Sequence, residues 1–152
     1  MRIWRLARQA YCRDRAGEGA RLNGGRWNAV GTGVLYGAAS ISLASLEYLS
    51  HLGIDCPVDL VLVGIDVPDN APIFRPAVQE LPEDWRSPFP SPTCQAWGTA
   101  WCHQGKELLM EVPSVIVPEE SNFVINSAHL LMAGVTLSPI RAFNFDLRVV
   151  KR

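Results

Sequence analysis

The chain has 152 residues, 48% of them hydrophobic and 19% charged, with a formal net charge of -1. That suits one domain (1–152) with a real core, and it excludes a disordered, collagen-like or coiled-coil chain. No run of 18 apolar residues occurs, so no membrane span is expected. The opening Met1-Arg2-Ile3-Trp4-Arg5 is too charged for a secretory signal.

The small net charge hides an uneven layout. Residues 1–26 hold seven Arg against Asp14 and Glu18. Residues 27–140 hold three basic residues against twelve acidic ones, and residues 141–152 hold four against Asp146. Every N-terminal cation is Arg, the side chain that grips phosphate and carboxylate bidentately. Such a segment is either a solvated basic face or an anion site. The cysteines, Cys12, Cys56, Cys94 and Cys102, match no zinc-knuckle or CxxC spacing. No metal is expected, and free thiols in a reducing cytoplasm are the default. Cys102-His103 is an isolated pair and reads as a packed thiol beside a surface His.

Taken in chain order, Ile3–Leu6 predicts a first strand. The Gly-rich stretch Gly17–Gly33 reads as an ordered loop. Gly33–Ala38 predicts a short buried strand. Ser40 is an N-cap for a helix over Ile41–His51, with Gly53 as its C′ residue. Leu60–Val67, β-branched and closed by Pro68, is the strongest strand signal. Pro68–Pro92 contains seven prolines and predicts an irregular excursion, with an edge strand near Ile73-Phe74. A helix over Pro92–Gln104 puts Trp97 and Trp101 on one face. Strands follow at Leu108–Val112, Ser114–Val117 and Phe123–Ile125. A short helix over Ser127–Met132 precedes a last strand at Val135–Leu137 or Arg141–Phe145. Strands outnumber helices without alternating with them, which predicts an α+β fold.

Glu47 is the most informative residue. Within residues 27–54 it is the only Asp, Glu, Lys or Arg. It lies mid-helix among Ile41, Leu43, Ala44, Leu46 and Leu49, with no cation at i±3 or i±4. Such a carboxylate must reach solvent, a distant cation or a ligand. Gly24-Gly25-Arg26-Trp27-Asn28 is the second feature. Its glycines permit a tight turn and close ligand approach. Arg26 offers a fork of donors, Trp27 a flat apolar wall, and Asn28 either fixes the loop or contacts a ligand. The pattern is neither a Walker loop nor GxGxxG. Tyr36, at the end of Val34-Leu35-Tyr36, is able to stack on a ring or bond a hydroxyl, or simply pack. Ser114 places a polar tip in an apolar run after Pro113, where the plain reading is a backbone-satisfying Ser. Asn122 and Asn126 flank an apolar run, as turn-capping Asn residues often do.

Together these pieces resemble the RES domain, a family of bacterial toxins named for Arg, Glu and Ser. The resemblance runs through Trp4-Arg5-Leu6, Gly25-Arg26-Trp27-Asn28 with Gly31, Val34-Leu35-Tyr36-Gly37-Ala38, Glu47 and Val112-Pro113-Ser114. It closes with Glu120, Asn122, Asn126 and His129. Ser127 stands where the family usually has Pro.

The resemblance implies an ADP-ribosyltransferase-like fold, with a mixed split sheet, flanking short helices and NAD held in a cleft. It implies cleavage of the nicotinamide–ribose bond of NAD by hydrolysis or phosphorolysis. Some relatives modify a protein instead. Glu47, Arg26, Tyr36 and Ser114 would then be catalytic, with Glu47 stabilising the ribosyl cation. Arg5, Arg26, Trp27, Asn28, Tyr36 and Asn122 would bind NAD. The implied partner is an antitoxin with a helix-turn-helix DNA-binding part, in a homo- or hetero-oligomer, with no direct nucleic-acid contact by this chain. Two readings compete: mono-ADP-ribosyl transfer to a protein, and a non-catalytic nucleic-acid-binding module using Trp4, Trp27 and the arginines. The isoelectric point of about 6.3 argues against the module.

Overall fold

The computed structural model describes residues 1–150. Among these residues seven strands form one sheet in the order β4-β5-β6-β2-β1-β3-β7. They are β1 (Arg2–Arg8), β2 (Val34–Ala38), β3 (Leu60–Asp66), β4 (Ile73–Phe74), β5 (Leu109–Pro113), β6 (Ser121–Asn126) and β7 (Thr136–Ala142). The β4–β5 pair is parallel and the others are antiparallel, so the sheet is mixed. Among the described residues four helices accompany it: α1 (Glu18–Asn23), α2 (Ile41–Ser50), α3 (Pro92–Gln104) and α4 (Leu147–Val150). The fold is α+β, as the pattern of strands predicts.

The sheet is joined in its middle by a single register pair, Trp4 with Ala38. On either side the ladders are long. β1 pairs with β3 along its whole length, and β2 pairs with β6 along all of its own. The sheet therefore opens beyond Trp4 into two half-sheets, β4-β5-β6-β2 and β1-β3-β7. This is the split that the resemblance implies.

Strand alternation divides the core. Ile3, Ala7, Leu35, Val63, Ile65, Leu109 and Ile125 bury one face. Trp27, Val34, Trp101, Met110, Val112 and Val124 bury the other beneath α3. On that second side α2 lays Leu43 and Ala44 against Ala38 and Trp4. α2 starts where its cap requires: Ser40 is extended and its hydroxyl accepts from the Leu43 amide at 3.1 Å.

Several expectations are corrected. The Gly17–Gly33 loop contains α1. Asp14 accepts the Ala16 and Glu18 amides at 3.0 and 2.8 Å, and Gly17 takes φ +68° to start the helix. Six residues with an internal glycine leave too little periodicity to read. Ser114–Val117 is a turn, because the Ser114 hydroxyl accepts the Ile116 and Val117 amides and diverts them from a ladder. The helix expected over Ser127–Met132 is a 3-10 turn at Leu130–Gly134. β7 spans the gap between the two places expected for the last strand. α2 ends at His51 in the right-handed region, and Gly53 is not left-handed. The Ser50 hydroxyl and the His51 ring instead bond the Glu47 carbonyl at 2.7 and 2.8 Å.

Candidate functional site

Glu47 rises from the middle of α2 toward the sheet and is half-buried. Two donors from distant segments meet one of its oxygens. Ser114 Oγ donates to Oε1 at 2.8 Å, and Asn122 Nδ2 donates to the same atom at 2.6 Å. Among the described residues, Oε2 takes no hydrogen bond and no cation pairs with the carboxylate. One oxygen is thus fixed by the protein and the other is left open. That arrangement suits a carboxylate meant to face a developing positive charge.

Ser114 is 0% exposed. Its hydroxyl donates to Glu47 and accepts two backbone amides at 3.1 and 3.0 Å, so its bonding capacity is used within the protein. Asn122 stands on the interior strand β6, opposite Ala38 on one side and Val112 on the other. Two ladders therefore fix its backbone. Its Oδ1 is buried without a partner.

The glycine loop is anchored from within. Asn28 is 0% exposed, and its Nδ2 donates to the carbonyls of Ala20 and Thr32 at 2.8 and 2.9 Å. Its Oδ1 accepts the Tyr36 hydroxyl at 2.6 Å, and that hydroxyl accepts the Trp27 amide at 3.1 Å. Burial raises the Tyr36 pKa above its ordinary value of 10.0. The Tyr36 hydroxyl is thus a neutral brace, and the residue as a whole is half-buried. Trp27 is buried and meets Trp97 edge-on at 5.5 Å, so it is part of the core. Asn28 thus ties the loop to α1 and to β2.

The Arg26 guanidinium donates to the carbonyls of Trp85 and Pro88 at 3.0 and 3.3 Å, tying the proline-rich excursion to the loop. Nothing in the sequence signals those acceptors, which are backbone atoms 59 and 62 residues away. Gln95 similarly donates to the Gly25 carbonyl at 3.1 Å. Arg5 lies one residue past the Trp4–Ala38 joint, at the fork between the half-sheets. Alternation assigns it to the face of Ile3 and Ala7. Burial lowers its pKa, with Asp14 and Cys12 acting weakly against that. Among the described residues it makes no hydrogen bond and no ion pair.

The structure therefore brings Glu47, Ser114 and Asn122 together, and separately Trp27, Asn28 and Tyr36. No described contact ties Arg5 to either group. Two cavities of about 580 and 560 Å³ lie elsewhere, and neither is lined by any of these residues. Asn126, at the far end of β6, lines the first of them and donates to the Cys102 carbonyl at 2.9 Å. Among the described residues, no group of three or more His, Cys, Asp or Glu is placed to hold a metal ion. No described helix is long and apolar enough to cross a membrane.

Several known proteins are similar to this chain over most of its length. The chain is 36% identical over 158 residues to the "Prs ADP-ribosylating toxin" of Sphingobium sp. (strain YBL2), covering 99% of this chain and 97% of that protein. It is 40% identical over 128 residues to a "Toxin Res" of Photorhabdus laumondii, covering 83% and 81%. It is 36% identical over 155 residues to a "Toxin Res" of Yersinia enterocolitica, covering 98% and 99%. The RES domain model matches residues 2–146, and the chain belongs to the RES domain family.

Proposed function

We propose that this chain is the toxin of a toxin–antitoxin pair and that it consumes NAD by breaking the nicotinamide–ribose bond. The observation that carries the reading is the Glu47 carboxylate, held by Ser114 and Asn122 through Oε1 with Oε2 open. In the reaction the C1′–N bond breaks and its electron pair leaves with neutral nicotinamide. The ribosyl carbon becomes oxocarbenium-like, and the open Glu47 oxygen stabilises it. Water or phosphate then forms the new bond at C1′; with water, one proton is released.

The other residues have more limited roles. The Tyr36 ring stacks on nicotinamide. Arg5, a desolvated cation that makes no hydrogen bond or ion pair among the described residues, takes the pyrophosphate at the fork between the half-sheets. Arg26 bonds only neutral carbonyls, and a phosphate is a stronger partner for it. Trp27, Asn28 and Ser114 act by shaping the site. No step runs through a metal. The setting is the cytoplasm, and the partner is an antitoxin with a helix-turn-helix part that covers the cleft.

Incubation of the purified protein with NAD, with and without phosphate, followed by product identification, tests the reading. Free nicotinamide with ADP-ribose or its phosphorylated counterpart is expected from wild type, and none from Glu47→Ala. Equal consumption by both proteins would overturn it. A second reading is ADP-ribosyl transfer to a protein, favoured by the name of the Sphingobium relative. An ADP-ribose adduct on a target protein, with little loss of free NAD, would select it.

A further inference from the structure

We infer that Asn122 is a positioning residue for Glu47, retained at a cost to the fold, and not a group that binds the substrate. This rests on the reading of Glu47 as the carboxylate that acts on NAD. Three observations carry it. Asn122 Nδ2 lies 2.6 Å from Glu47 Oε1, the shorter of the two bonds to that oxygen. The Asn122 backbone is paired with β2 and β5 on either side, so the amide holds the carboxylate from a strand laddered on both edges. Its other end is poorly served, since Oδ1 is buried with no hydrogen-bond partner.

That orphan decides between roles. A side chain kept for structure alone would satisfy both ends of its amide or be apolar, because a buried unpaired acceptor is destabilising. Turning the amide over would not repair this. It would set Oδ1 against Oε1 and leave the carboxylate with Ser114 as its sole donor. The amide therefore has one workable orientation, dictated by Glu47. With Oε1 held from both the β6 strand and the Ser114 turn, rotation of the carboxylate about its last bond is stopped, and Oε2 is the oxygen presented to the ribose. Positioning of this kind acts on the rate of the chemical step more than on substrate binding.

The test compares wild type with Asn122→Leu and Asn122→Asp for NAD consumption and thermal unfolding. Asn122→Leu is expected to melt within about 3 °C of wild type, with kcat down at least about 10-fold and KM within about twofold. Asn122→Asp keeps the shape but has no donor and sets a carboxylate against Glu47, so its kcat falls at least as far. If Asn122→Leu fails to fold, Asn122→Asp alone decides. A wild-type kcat in either folded variant, or a rise in KM with kcat unchanged, overturns the inference and leaves the NAD reading standing. A wild-type protein that leaves NAD intact overturns both.

Discussion

Replacing Asn28 by Ala should destabilise the folded protein strongly, with or without any ligand. The side chain is fully buried and joins four partners: the Ala20, Ala29 and Thr32 carbonyls and the Tyr36 hydroxyl. Truncation leaves all four without it. A buried polar group deprived of its partner costs about 1–3 kcal/mol. The Tyr36 oxygen still accepts the Trp27 amide, and the Ala20 and Ala29 carbonyls still accept the Gly24 and Thr32 amides, which softens their shares and leaves the Thr32 carbonyl the most exposed to the loss. The expected loss is therefore about 2–4 kcal/mol, a large part of the roughly 5–15 kcal/mol by which a domain is usually stable. Asn28→Asp should lose as much, since it retains the acceptor for Tyr36 but turns a negative charge toward the carbonyls. Urea unfolding followed by tryptophan fluorescence reads the change as a fall in midpoint at constant slope. A loss below about 1 kcal/mol in both variants, or one that appears only with NAD present, would refute the inward-facing role.

Further outcomes follow from other features. Glu47→Gln should lower NAD consumption at least about 100-fold while leaving the unfolding midpoint nearly unchanged, since Ser114 and Asn122 keep an acceptor at Oε1; parallel activity and midpoint losses would point to a structural role. Arg5→Met should unfold at the same or a higher urea concentration than wild type, because it removes a desolvated cation with no described partner, yet bind ADP-ribose more weakly by calorimetry. Gly98→Ala should cost more than about 2 kcal/mol, as an added Cβ would lie 2.0 Å from the Trp27 carbonyl oxygen and push α3 off the loop; a neutral midpoint would contradict that packing. Burial raises the Cys102 thiol from 9.0 to about 11. The folded state keeps its proton while the unfolded chain loses it, so stability should fall from pH 9 to 11. Cys102→Ala should flatten that part of the urea-midpoint profile.

The sequence by itself determined β1, β2, β3, α2 and α3, because each is a local pattern closed by a local signal such as Ser40 before α2 or Pro68 beyond β3. It also isolated Glu47 and carried the RES resemblance. It left α1 hidden and read the Ser114 turn as a strand, since side-chain bonds to nearby amides outweighed β propensity there. Only the tertiary structure decided the fork at Trp4 and Ala38, the convergence of Ser114 and Asn122 on one Glu47 oxygen from 67 and 75 residues away, and the inward turn of Asn28. The physical reason is range. Hydrophobic periodicity reports which face of an element is buried, whereas the meeting of two polar side chains depends on strand register and helix placement, which no single segment encodes.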